Sequence, residues 1–120
     1  LQIDSKKTMQ YKEGGLIANR TNLPNPQTLE DPELINCIFY QLAQPKGESS
    51  LLNGEETLRV SEVGGAEVGS RLTFVSWTQP NAPYFCLEPW MSPPNAPENK
   101  TVRMVAPAAR DEFTIEIDLA

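Results

Sequence analysis

The sequence predicts an all-β fold, and three observations point there. The run Phe113-Thr114-Ile115-Glu116-Ile117-Asp118-Leu119 alternates apolar and polar residues without a break. A period of two is the signature of a strand with one face turned to a core. Three further segments, Ile35 to Leu42 (INCIFYQL), Arg71 to Thr78 (RLTFVSWT) and Tyr84 to Trp90 (YFCLEPW), are rich in β-branched and aromatic residues. Finally, no stretch of about twelve residues carries an amphipathic helical period without a proline or glycine inside it.

Taken in order, the N-terminal Leu1 to Ile3 and Gly15 to Ala18 are short strand candidates. Asn22 to Pro32 follows with prolines and asparagines that favour turns, and a single helical turn fits Thr28 to Leu34. Ile35 to Leu42 is the first long strand. Pro45 to Gly54 (PKGESSLLNG) reads as turn-forming, and Thr57 to Val63 as a shorter strand. Gly64, Gly65 and Gly69 then break the chain, with Gly64-Gly65 as a hairpin tip. The WT strand and the EPW strand come next. Pro93, Pro94 and Pro97 break the chain again, before a short candidate at Thr101 to Val105 and the alternating final strand. The strands are too many and too short for a parallel α/β sheet. No repeat or boundary divides residues 1–120, which read as one domain or part of one.

Composition narrows the function classes. The 120 residues carry a net charge of −6 with a pI near 4.6. Such a chain repels phosphate backbones and anionic membrane surfaces, so nucleic acid is an unpromising partner. Its apolar runs are too short to span a bilayer as helices. The chain starts at Leu1 with no signal pattern behind it, so either a leader has been removed or the chain is a piece of something longer. Cys37 and Cys86 have neither metal-site nor redox spacing. They read as buried thiols, with one disulfide as the alternative. The sequence contains no histidine, which removes the commonest general acid and base near neutral pH and the commonest metal ligand. Glu55, Glu56, Glu62 and Glu67 read as an exposed acidic face rather than a cation site. Asn19-Arg20-Thr21 and Asn99-Lys100-Thr101 fit the glycosylation sequon, which is frequent by chance.

The segment Phe74 to Pro97, FVSWTQPNAPYFCLEPWMSPPNAP, carries a more specific pattern. Trp77 and Thr78 end one strand. Pro83, Tyr84, Cys86, Leu87, Glu88, Pro89 and Trp90 form the next, and Asn95 and Ala96 lie in the loop after it. Val105-Ala106-Pro107 then precede a polar turn and the last strand. This arrangement resembles the late strands of the aldose 1-epimerase (galactose mutarotase-like) family. A small departure falls at Ala108, where family members often carry glycine. The first seventy residues fit more loosely, through strand spacing and Leu34-Ile35-Asn36 ahead of Phe39. Family members are much longer than this chain. The resemblance therefore implies the C-terminal portion of a mutarotase-like antiparallel β-sandwich, a supersandwich in its full form.

It also implies a chemistry. Interconverting the anomers of an aldose requires a base at the C1 hydroxyl and an acid at the ring oxygen, and no cofactor. Glu88 matches the family's base. On a strand, Tyr84, Cys86, Glu88 and Trp90 share a face, and an aromatic and a thiol beside the carboxylate partly desolvate it. Trp77 and Trp90 are suited to stack on a pyranose. Asn36 stands three residues before Phe39, where the family has an aspartate on the sugar. The competing readings are a solvated rim carboxylate for Glu88 and a strand-edge polar residue for Asn36. The acid in the family is a histidine from the N-terminal half, absent here; Tyr11, Tyr40 and Tyr84 are phenols with no assigned place.

Two functional expectations follow. One is an aldose 1-epimerase-like, carbohydrate-binding isomerase, active only when a histidine-bearing segment completes it. The other is a non-catalytic subunit held by a protein partner, as mutarotase-like domains are in larger assemblies, photosynthetic complexes among them. A lectin-like module is a third. The expected setting is soluble, cytoplasmic or organellar, the chloroplast included.

Overall fold

The computed structural model describes residues 1–11, 15, 17–20 (backbone only), 24–42, 47–63, 72–94 and 104–120. Their strands are β1 (Gln2–Ile3), β2 (Ser5–Tyr11), β3 (Ile17–Arg20), β4 (Cys37–Leu42), β5 (Glu48–Asn53), β6 (Glu56–Glu62), β7 (Thr73–Trp77), β8 (Cys86–Trp90) and β9 (Ile115–Leu119). A 3-10 turn at Pro32–Leu34 is the only helical element among the described residues. The fold is all-β. One antiparallel sheet has the order β1-β5-β6-β9 and the other β3-β2-β4-β7-β8, and the two face each other as a sandwich.

The core lies between the sheets. Phe39, Phe74 and Cys37 from the five-stranded sheet meet Ile3 and Val60 from the four-stranded one, with Leu1, Leu34, Leu42 and Leu72 closing the ends. Phe74 is fully buried, and filling such a site with an aromatic ring is worth about 3–5 kcal/mol against alanine. Leu42 joins this core although it is out of step with Cys37 and Phe39. A left-handed backbone at Gln41 (φ 52) coincides with the change of face. Met9, Ile38, Tyr40 and Val75 make a second apolar cluster on the opposite face of the same sheet.

The Pro32–Leu34 turn is built by Asp31, whose carboxylate accepts from the Glu33 N–H at 2.9 Å, followed by proline at the first helical position. Ser76 Oγ then donates to the Leu34 carbonyl at 2.7 Å from inside the sheet. This bond ties the turn to β7. Arg59 on β6 reaches Glu48 at 3.3 Å and Asp118 at 3.5 Å, linking β5, β6 and β9 on the outer face.

Several expectations change. The strand β2, Ser-Lys-Lys-Thr-Met-Gln-Tyr, was not anticipated, because only Met9 and Tyr11 mark its apolar face. Most of Pro45 to Gly54 is strand β5 rather than turn. Its Glu48–Asn53 core is held on both sides by β1 and β6, and the chain turns at the β5–β6 corner at Gly54 (φ 62); Pro45 and Lys46 lie outside the described residues. Glu62 is buried at 4% exposure, not part of an acidic face, whereas Glu55 and Glu56 are exposed. Met104 and Val105 are exposed and irregular. Phe113, just before β9, and Ile115 at its start pack on the core, but Ile117 and Leu119 on the same face are 68% and 71% exposed. The facing sheet does not reach them. Cys37 and Cys86 are free thiols as expected, but only Cys37 is buried and Cys86 is half-buried. Gly64-Gly65, Glu67 and the Asn99 sequon lie outside the described residues.

Candidate functional site

The outer face of the five-stranded sheet is a ladder of aligned side chains. Met9 lies opposite Ile38, Ile38 opposite Val75, and Val75 opposite Glu88. Paired residues in a sheet project to the same side, so this rung runs from an apolar floor to a carboxylate at the edge strand β8. One step along, Trp77 is paired with Cys86 and Thr73 with Trp90. These pairings place Trp77, Cys86, Glu88 and Trp90 on one face, as the period of two requires.

A hollow of about 220 Å³ sits on this face. Ile38 and Val75 form its floor, and Asn36, Trp77, Glu88 and Trp90 are among its walls. All four residues expected from the sequence are therefore brought together. Asn36 arrives from the turn before β4, where it adopts φ 53, a conformation asparagine tolerates better than most residues. Tyr11 and Pro94 complete the lining. Tyr11 had no assigned place in the sequence because β2 was not seen as a strand. With Met9 facing the floor two residues earlier, period two would have found it.

Within the hollow the indole N–H of Trp90 donates to Oε2 of Glu88 at 3.0 Å. This bond fixes the carboxylate orientation through one oxygen, and a carboxylate accepts through both. Glu88 is half-buried, and Trp90 is 40% exposed. Tyr84 lies just before β8 and stacks on Trp77, with ring centroids 5.7 Å apart and an interplanar angle of 22°. Thr78 Oγ1 holds the Tyr84 carbonyl at 2.8 Å, which locks the loop carrying that ring. Trp77 thus spends one face on Tyr84. Burial of the neighbouring Tyr40 raises its phenol above the usual 10.0.

A larger hollow of about 510 Å³ lies between the loop at Leu29–Ile35 and the loop at Thr78–Phe85. It is bounded by turns, and its Asp31 is committed to capping the 3-10 turn. The smaller hollow has what the larger lacks: an apolar floor on a rigid sheet with indoles and a carboxylate converging above it. Among the described residues no group of three or more His, Cys, Asp and Glu is arranged to hold a metal ion. No helix among them is long and apolar enough to cross a membrane. Asn95 and Ala96 lie outside the described residues. No protein-family model, curated protein or solved structure matches this chain.

Proposed function

We propose that the hollow on the outer sheet face binds an aldose, in the manner of an aldose 1-epimerase-like (galactose mutarotase-like) protein. The observation that carries this reading is the convergence of Asn36, Trp77, Glu88 and Trp90 on one site. A pyranose has an apolar face suited to an indole and hydroxyls suited to a carboxylate and an amide. Further support comes from Ala108. It stands where the family often carries glycine, and its φ of 62 is a value that glycine adopts without strain.

In this reading Glu88 accepts the proton of the C1 hydroxyl, with its orientation set by Trp90. Asn36 holds a sugar hydroxyl, and Trp90 offers a ring face. Anomer interconversion also needs an acid at the ring oxygen. This chain has no histidine, so the reaction requires a histidine-bearing segment from elsewhere, or the Tyr11 phenol at the pocket wall. The test is the optical rotation of freshly dissolved α-glucose and α-galactose with the protein and with Glu88→Gln. Faster mutarotation that disappears in Glu88→Gln supports an enzyme. Unchanged rates alongside sugar binding support a binding module.

A second reading, a non-catalytic subunit of a larger assembly, is favoured by the exposed Ile117 and Leu119. They extend the core face beyond the sheet that covers it.

A further inference from the structure

We propose that β9 is a docking edge for an extended basic segment of a partner protein, which adds to the four-stranded sheet as a further strand. This inference does not rest on the sugar reading.

β9 is the terminal strand of its sheet, with β6 on one side and no strand on the other among the described residues. The register shows which backbone groups are left over. Thr57 and Ala120 exchange both N–H···O bonds, at 2.8 and 2.9 Å, and Val63 donates to the Thr114 carbonyl at 2.9 Å. Bonded and non-bonded pairs alternate along an antiparallel ladder. The pairs Leu58–Leu119, Val60–Ile117 and Glu62–Ile115 are therefore the non-bonded ones. Ile115, Ile117 and Leu119 consequently aim their N–H and C=O groups away from β6, toward the open edge. Ile117 and Leu119 are also 68% and 71% exposed in their own right. The same residues thus offer both a backbone ladder and an apolar row, which is what strand addition uses.

A second copy of this chain is a poor occupant. Consider each two-fold antiparallel pairing of β9 with itself that engages at least two of the outward residues. Centred on Ile117, it sets Glu116 opposite Asp118. Centred on Glu116 or on Asp118, it sets that residue opposite its own copy. Every one of these registers puts carboxylate against carboxylate, and like charges directly opposite are destabilising.

The complement is visible inside the sheet. Leu58, Arg59 and Val60 of β6 face Leu119, Asp118 and Ile117, with Arg59 Nη1 at 3.5 Å from Asp118 Oδ2. A strand on the open side meets the same row of side chains, so the same apolar–basic–apolar order fits it. The net charge of −6 draws a basic segment to the protein at long range. The other sheet treats its edge differently. Its terminal strand β8 contains Pro89, which has no N–H to offer a ladder.

The test titrates the protein into a fluorescein-labelled synthetic peptide of alternating valine and lysine and follows anisotropy. A control peptide has two central residues replaced by proline. Ile117→Ser, at an exposed position, is compared after circular dichroism confirms its fold. The expected result is saturable binding to the alternating peptide, at least about tenfold weaker for the proline peptide and for Ile117→Ser, which corresponds to roughly 1.4 kcal/mol. Equal binding of both peptides would show charge attraction alone and overturn the proposal. Absence of binding would do the same. Sedimentation showing a dimer that Ile117→Ser dissociates would replace the basic partner with a second copy.

Discussion

Trp90 holds Glu88 by an indole N–H···Oε2 bond of 3.0 Å, from two residues further along the same edge strand. The pair is local in sequence, so its geometry follows from the period of the strand. It needs only that β8 stay paired to β7. The bond leaves the carboxylate oriented over an apolar floor made by Ile38 and Val75, and it couples the acid group to the more exposed of the two indoles.

Replacing Trp90 separates these two roles. Trp90→Phe keeps a ring and removes the donor, whereas Trp90→Ala removes both. Sugar affinity should fall by a few-fold in the first and by about tenfold or more in the second, since 1.4 kcal/mol is a factor of ten. Tryptophan fluorescence of Trp77 reports binding in both variants.

Ala108 occupies a left-handed conformation after Pro107, within a turn closed by Ala109 N–H to the Ala106 carbonyl at 3.0 Å. Proline first and a positive φ second is the pattern of a type II turn, which favours glycine at the second position. Removing the Cβ relieves about 1–2 kcal/mol of backbone strain, against an entropic cost of about 0.5–1 kcal/mol for glycine. Ala108→Gly should therefore stabilise the fold by roughly 0.5–1 kcal/mol in urea unfolding.

Ser76 connects the core to the site. Its hydroxyl bonds the Leu34 carbonyl at 2.7 Å, just before Asn36 enters the hollow. Ser76→Ala leaves a buried carbonyl without this donor, which should cost about 1–3 kcal/mol in chemical denaturation. Sugar affinity should drop with it, because the turn that carries Asn36 loses its anchor.

Tyr40 gives a pH signature. Burial raises its phenol above 10.0 in the folded protein, so above that pH the unfolded chain releases a proton that the folded chain retains. Its contribution is fully present below pH 10 and is lost as pH rises toward and through the folded-state value. The urea midpoint should fall above pH 10, and Tyr40→Phe should lessen that fall. Absorbance at the tyrosinate band should show a phenol titrating above 10.0 in the folded protein that is missing from Tyr40→Phe.

Strands marked by strong patterning were legible in the sequence. β4, β7, β8 and β9 each fall within the segments expected from β-branched and alternating residues. β2 and β5 were not legible, because Ser5–Tyr11 and Glu48–Asn53 owe their conformation to neighbours on both sides rather than to their own residues. The site followed the same division. Asn36, Trp77, Glu88 and Trp90 were named through the family resemblance of their segments, and they sit on or beside legible strands. Tyr11 was not, since its strand was hidden. The alternation of β9 correctly put Ile115, Ile117 and Leu119 on one side, but periodicity carries no information on how far the opposing sheet extends. Glu62 shows the same limit, since nothing local marks it as buried at 4% exposure.

The most direct measurement is a fluorescence titration of the protein with galactose and with glucose, beside Glu88→Gln. A sugar site at Asn36, Trp77, Glu88 and Trp90 predicts a saturable change in tryptophan emission for at least one sugar, weakened about tenfold or more in Glu88→Gln. A folded protein whose emission does not change up to roughly 100 mM of either sugar, a binding free energy weaker than about 1.4 kcal/mol, would contradict it.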